Sequence, residues 1–341
     1  MKKLSLSRID EIFMTISSQQ KLYVPVDDAS GQASFKVWES GDKLTKNLNT
    51  VRSPKDLFFP QVENLMGFKV TGKQIDIIET RDVTEPFVIF GVRACDCRSF
   101  DILDRVFLSE PVDTYYKNRR ENATIVTFAC TRPAETCFCT AFGIDAGEPG
   151  GDVSCWPVNG ELYLKANTEK GEKLLDSLYM LSDCGDNVVE SAKKEISDFI
   201  MKKLPLNGLK LDAFKAENTL KLFEDERWAE LSESCLGCGT CTFVCPTCQC
   251  YDIQEFNDGN CVRRFRCWDS CMYSDFTQMS AGQPRPTQKE RFRQRFMHKL
   301  VYYPANNEGM FSCVGCGRCL QKCPISMNIV KVIKTLGEEK K

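Results

Sequence analysis

The sequence predicts an α+β protein in two parts, an α/β-like N-terminal domain over residues 1–228 and a mostly helical, cysteine-rich domain over 229–341. Three observations carry this reading. PFVIFGV (86–92) and ATIVTFA (123–129) are continuous apolar runs, rich in β-branched and aromatic residues, and read as buried strands. Between them Phe100, Leu103 and Phe107 keep helical spacing, which makes a strand–helix–strand unit. Cysteine density rises sharply after residue 234, which places the boundary near 225–230. At 341 residues the chain is long enough for about two domains, each with its own core.

The remaining elements follow in order. Ser7 and Asp10 open a helix expected over 7–20, with Ile9, Ile12, Phe13 and Ile16 on one face. KLYVPV (21–26) and ASFKVW (33–38) read as strands, as does GELYLKA (160–166) within a glycine-rich stretch. Asn187 with Glu190 caps a helix carrying Val188, Val189, Ala192, Ile196, Phe199 and Ile200, and a further helix is expected over 211–223. KERFRQRFMHKL (289–300) predicts a helix with Phe292, Phe296 and Leu300 on one stripe and Arg291, Arg295 and His298 on another. Its phenylalanines are expected to pack and its arginines to face water, a partner or acidic groups.

Lys plus Arg (45) nearly balance Asp plus Glu (47), so no global field favours nucleic acid or an anionic membrane. The apolar runs are too short to span a bilayer, and MKKLSLSRIDEIF continues into no signal-peptide core. A cytoplasmic protein with no nucleic-acid or membrane partner is expected. The arginine-rich stretches RRFR (263–266) and RFRQRF (291–296) are the only counter-signal, and they would suit a DNA-processing protein. Twenty cysteines stand beside a single histidine, His298. In a long chain without an export signal, such clusters point to metal ligands before disulfides. The lone histidine leaves little support for His-ligated haem, His-rich zinc sites or His-based acid–base catalysis.

CLGCGTCTFVCP (235–246) and CVGCGRCLQKCP (313–324) share one pattern, Cys-x2-Cys-x2-Cys-x3-Cys-Pro. The first three thiolates at this spacing reach three irons of one [4Fe–4S] cubane, while the fourth points away to the other cluster, as in two-cluster ferredoxins. The expected ligand sets are Cys235, Cys238, Cys241 with Cys323, and Cys313, Cys316, Cys319 with Cys245. The C-terminal domain is then ferredoxin-like, with a long insertion (249–310) whose ends must lie close together. A zinc ribbon has paired knuckles without the third cysteine or the Cys-Pro. No GxGxxG follows a strand and no GxxxxGK[ST] occurs, so the chain reads as an electron relay with no catalytic residue of its own.

Cys95 lies just past the strand at 86–92 and Cys130 just past that at 123–129, at the strand ends where open α/β sheets gather ligands. Cys137 and Cys139 follow in the same loop. These four could hold a third cluster, with Asp96 or Cys97 as substitutes; a four-thiolate zinc site and a set of buried thiols are the alternatives. Cys248, Cys250, Cys261, Cys267 and Cys271 read as inert thiols around the two-cluster module, and Cys155 and Cys184 as isolated structural residues.

The succession GVRACDCRSFDILDRVFL (91–108), CTRPAETCFCTAFG (130–143), CLGCGTCTFVCPTCQCYD (235–252) and CVGCGRCLQKCP resembles an iron–sulfur subunit family. That family includes an iron–sulfur component of anaerobic sulfite reductase and the β subunit of soluble sulfhydrogenases. The likeness covers most of residues 85–330, and its two N-terminal motifs are not shared with ordinary ferredoxins. It implies an electron-transfer subunit of a multi-subunit oxidoreductase, placed between a flavin- and NAD(P)H-binding partner and a catalytic one. The catalytic partner would be a sirohaem sulfite reductase or a [NiFe] hydrogenase. The resemblance also implies that Cys95, Cys130, Cys137 and Cys139 form a functional set. The alternative is a self-sufficient reductase binding its own flavin or substrate in the N-terminal domain. Against it stand the missing nucleotide fingerprint and the scarcity of acid–base groups.

Overall fold

The computed structural model describes residues 1–47, 49–80, 85–204, 206 and 208–338; residues 339–341 of the expected C-terminal domain lie outside it. The chain opens with β1 (Lys2–Ser5) and α1 (Ile9–Ser17), whose Ile12, Phe13 and Ile16 are buried. β2 (Lys21–Asp27) and β3 (Ala33–Val37) pair antiparallel, and β4 (Val62–Thr71) and β5 (Gln74–Ile78) make a hairpin. β6 (Phe87–Arg93) runs directly into α2 (Ala94–Phe107), and α3 (Thr114–Asn122) leads to β7 (Ala123–Phe128). β8 (Val153–Val158), β9 (Glu161–Ala166), α4 (Glu169–Ser177) and β10 (Ser182–Asp183) follow.

These strands, apart from β4 and β5, form an eight-stranded mixed sheet in the order β10-β1-β9-β8-β7-β6-β2-β3. Its centre, β2, β6, β7 and β8, is parallel. Six of the seven β6 residues are buried, as expected of a parallel strand covered on both faces. Val88 and Phe90 pack with α1 and α4 on one side, while Phe87 and Ile89 pack with Phe100, Leu103 and Tyr116 on the other. The parallel centre sends the ends of β6 and β7 to the same edge, and the first cysteine loop stands there.

The second half carries α5 (Glu190–Lys203), α6 (Thr219–Phe223), α7 (Arg227–Glu233) and α8 (Thr240–Phe243), then a hairpin of β11 (Tyr251–Asn257) and β12 (Cys261–Trp268). α9 (Gln288–Met297) continues through a π-helical turn (His298–Tyr302) into α10 (Tyr303–Asn306); α11 (Arg318–Gln321) and α12 (Ile329–Gly337) end the chain. Trp228, Phe292, Phe296, Leu300 and Ile333 join α7, α9 and α12 in a separate core.

The expectation of a mostly helical second half does not anticipate the hairpin. β12 pairs with β4 of the first half, giving an antiparallel sheet β11-β12-β4-β5. Arg266 of β12 is buried against Glu63 of β4, with its Nε donating to Oε2 at 2.7 Å, and also pairs with Asp113. The helix expected over 211–223 is confined to the short α6, preceded by a 3-10 turn. Among the described residues no helix is long and apolar enough to cross a membrane.

Candidate metal centres

The two cysteine runs fold alike. In each, a glycine with positive φ, Gly239 (71°) or Gly317 (77°), caps a four-residue helix that carries the third cysteine, Cys241 on α8 or Cys319 on α11. The chain then turns at Cys245-Pro246 or Cys323-Pro324. Because α8 and α11 pack together, each fourth cysteine lands beside the other run. Cys235, Cys238, Cys241 and Cys323 face one cavity, and Cys245, Cys313, Cys316 and Cys319 face a second. The structure thus brings together the two cross-paired sets that the spacing suggests.

Cys95, in the first turn of α2, and Cys130, just beyond β7, meet Cys137 and Cys139 around a third cavity. This loop is stitched to the second cysteine run: the Phe138 amide donates to the Gly315 carbonyl at 2.8 Å, and Asn49 Nδ2 donates to the Cys316 carbonyl at 2.9 Å. Asn49 Nδ2 also lies 3.8 Å from Cys137 Sγ. A Cβ on Gly315 or Gly317 would overlap the carbonyl oxygen of Phe138 or Thr136, so glycine is required for this approach. Neither proposed substitute faces the third cavity. Asp96 receives both forks of Arg318, at 2.5 and 2.7 Å, and Cys97 lies against Gly150.

The three cavities adjoin. Arg295 borders the first and second, and Cys316 borders the second and third. Exposure differs along the row: Cys238 is exposed, whereas Cys316, Cys95 and Cys139 are buried. The hydrogen bond between Cys238 Sγ and Thr240 Oγ1 (3.4 Å) lowers the Cys238 thiol pKa. Burial instead pushes Cys313 up to about 11 and Cys316 and Cys139 up to about 12. Thiols in such surroundings ionise only when a metal or a nearby cation offsets the charge.

Two cations of that kind line the sites, Arg295 at the first and second cavities and Lys299 at the second. Both are buried, as are Lys55 and Arg318 close by. Lys55 Nζ donates to the carbonyls of Cys245 (3.1 Å) and Cys248 (2.9 Å) and stands 3.6 Å from the Trp268 ring centroid. Lys299 Nζ donates to Thr247 Oγ1 and the Ser312 carbonyl. Arg295 Nη2 donates to the Cys241 carbonyl at 2.7 Å, while its Nε and Nη1 have no hydrogen-bond partner among the described residues. Unpaired buried donors and uncompensated buried cations are costly, and an anionic, sulfur-rich group in the cavities would receive both. The donor set and its surroundings fit iron–sulfur clusters.

The sequence reading places Arg295 among residues facing water, a partner or acidic groups, and it passes over Lys55, Lys299 and Arg318. The one available sign is the four-residue step from Arg295 to Lys299, which puts both cations on one helix face. Four of the six arginines of RRFR and RFRQRF have other partners. Arg266 is in its buried ion pairs, Arg264 pairs with Glu255, and Arg291 donates to the Met272, Arg285 and Pro286 carbonyls. Arg293 stacks on Phe223. Of the remaining cysteines, Cys248 adjoins Cys245, Cys250 adjoins Cys271, Cys261 and Cys267 lie on β12, Cys155 is in the core and Cys184 is half-buried.

A family described as the 4Fe-4S dicluster domain matches residues 234–327. Over 343 aligned residues the chain is 33% identical to sulfhydrogenase 2 subunit beta of Pyrococcus furiosus, covering 98% of each protein. The chain belongs to this iron–sulfur subunit family. It is an iron–sulfur electron-transfer subunit, and its dicluster domain carries two [4Fe–4S] clusters. No solved structure matches the chain.

Proposed function

We propose that this subunit relays single electrons within a cytoplasmic multi-subunit oxidoreductase, between a flavin- and NAD(P)H-binding subunit and a catalytic partner of the hydrogenase or sulfite reductase type. The observation that carries the reading is the adjoining row of three four-cysteine cavities, joined by Arg295 and Cys316. Cys235, Cys238, Cys241 and Cys323 would hold the first cluster, Cys313, Cys316, Cys319 and Cys245 the second, and Cys95, Cys130, Cys137 and Cys139 a third. Each cluster, when bound, supplies reversible one-electron exchange. The chain itself supplies enclosure, cationic neighbours and fixed spacing. Residues 1–228 would serve as the docking and third-site domain and 229–341 as the ferredoxin-like domain.

The repeated Cys-x2-Cys-x2-Cys-x3-Cys-Pro spacing supports clusters over zinc at the first two sites. The test is the iron content of anaerobically prepared protein together with its copurifying subunits. About twelve irons per chain, falling by about four in Cys137→Ser, supports three clusters; about eight in both sinks the third. A flavin subunit with nickel or sirohaem in the same complex names the partners. A chain that purifies alone with bound flavin and its own turnover overturns the relay.

A further inference from the structure

Arg295 is 2% exposed, lies in the last turn of α9 and borders both the first and the second cavity. One arm of its guanidinium is fixed, with Nη2 donating to the Cys241 carbonyl at 2.7 Å. Its Nε–H and Nη1–H reach no acceptor among the described residues. Its other close neighbour is apolar, the Phe296 ring, whose centroid is 4.9 Å from Cζ.

Two nearby donors are more local. Gln288 Nε2 lies 3.3 Å from Cys235 Sγ and so addresses the first set. Lys299, one helical turn beyond Arg295, borders the second cavity but not the first. Arg295 differs from both by facing the two cavities at once.

We infer that Arg295 is a shared electrostatic and hydrogen-bonding bridge between the two C-terminal centres, its free N–H groups serving the sulfurs of both and setting their two reduction potentials together. This rests on the reading that both cavities hold [4Fe–4S] clusters. Reduction adds negative charge to a cluster that is already anionic through its four thiolates. A buried cation and N–H···S hydrogen bonds stabilise that reduced form and raise its potential. With one guanidinium between two clusters, the first electron to arrive also weakens Arg295's help to the second. Arg295 is therefore a positioning residue, and it makes the two centres a matched pair.

The test is an anaerobic, EPR-monitored redox titration of the full chain, with iron counted in every sample. Arg295→Met lowers the midpoints of both C-terminal centres by at least tenfold in reduction equilibrium, about 59 mV for one electron, and iron content stays at the parent level. Gln288→Leu lowers only the centre held by Cys235, Cys238, Cys241 and Cys323. Lys299→Met lowers only the other. If Arg295→Met assembles poorly, two more variants decide: Arg295→Lys keeps the charge and holds both midpoints near the parent, while Arg295→Gln lowers both. Full iron with unmoved midpoints, or a shift in one centre alone, overturns the inference. A parent protein without two reducible clusters overturns the underlying reading, and the bridge with it.

Discussion

Cys245 ends the first cysteine run yet faces the cavity of the second, with the Lys55 ammonium on its carbonyl. Cys245→Ser should therefore remove the EPR signal of the centre held by Cys313, Cys316 and Cys319 and leave the sequence-neighbouring centre intact. Loss of the other signal would refute the cross-pairing. Arg318 and Asp96 form a second long-range link, 1% and 2% exposed at the side chain and joined by a two-pronged ion pair. Breaking one side of such a buried pair typically costs about 3–5 kcal/mol. Asp96→Asn should lower the unfolding free energy by that order, read from the denaturant midpoint and slope, and an unchanged value would show that the pair contributes little. The cysteine grouping was legible because metal-cluster chemistry fixes ligand spacing along the chain. The cations were not. Arg295, Lys299 and Arg318 read as ordinary surface charges until the fold turns them inward.

At the scale of elements, β6 and β7 could be read directly, since a parallel strand buried on both faces needs an unbroken apolar run. β5 and β11 could not. Both alternate over only four residues, Gln74–Ile77 and Tyr251–Gln254, and every residue of each is exposed, so no buried face sets them apart. They exist through main-chain pairing with β4 and β12, which sequence patterning does not record. The loop carrying Cys130, Cys137 and Cys139 was readable as ligands but not as a surface that seats on another motif. That seating depends on Gly317, at φ +77° and pressed against the Thr136 carbonyl. Gly317→Ala costs about 1–2 kcal/mol for the left-handed backbone alone, and the added clash should push the loop away. The expected result is iron lost from the third site, read as about four fewer irons per chain. Parent-level iron would mean that the loop adapts.

For the whole molecule, the row of cavities runs from the exposed Cys238 at one end to the enclosed Cys95 and Cys139 at the other. Brief exposure to air should therefore bleach the first centre before the others, followed by EPR of the reduced protein. Simultaneous loss of all signals would contradict a graded enclosure. The start of the dicluster region was legible in the step in cysteine density, whereas its joining to the rest of the chain was not. β12 completing a sheet begun by β4, and the Phe138 loop resting on Gly315, are long-range pairings that local patterns do not encode. The stitching of the third site also has a consequence for biosynthesis. Cys137 and Cys316 stand 179 positions apart. A ribosome thus delivers all four thiols of that site long before the segment that roofs them. The cysteines made first belong to a pocket that must wait for the last motif, and a cell that loads iron during translation must shelter them until that motif emerges.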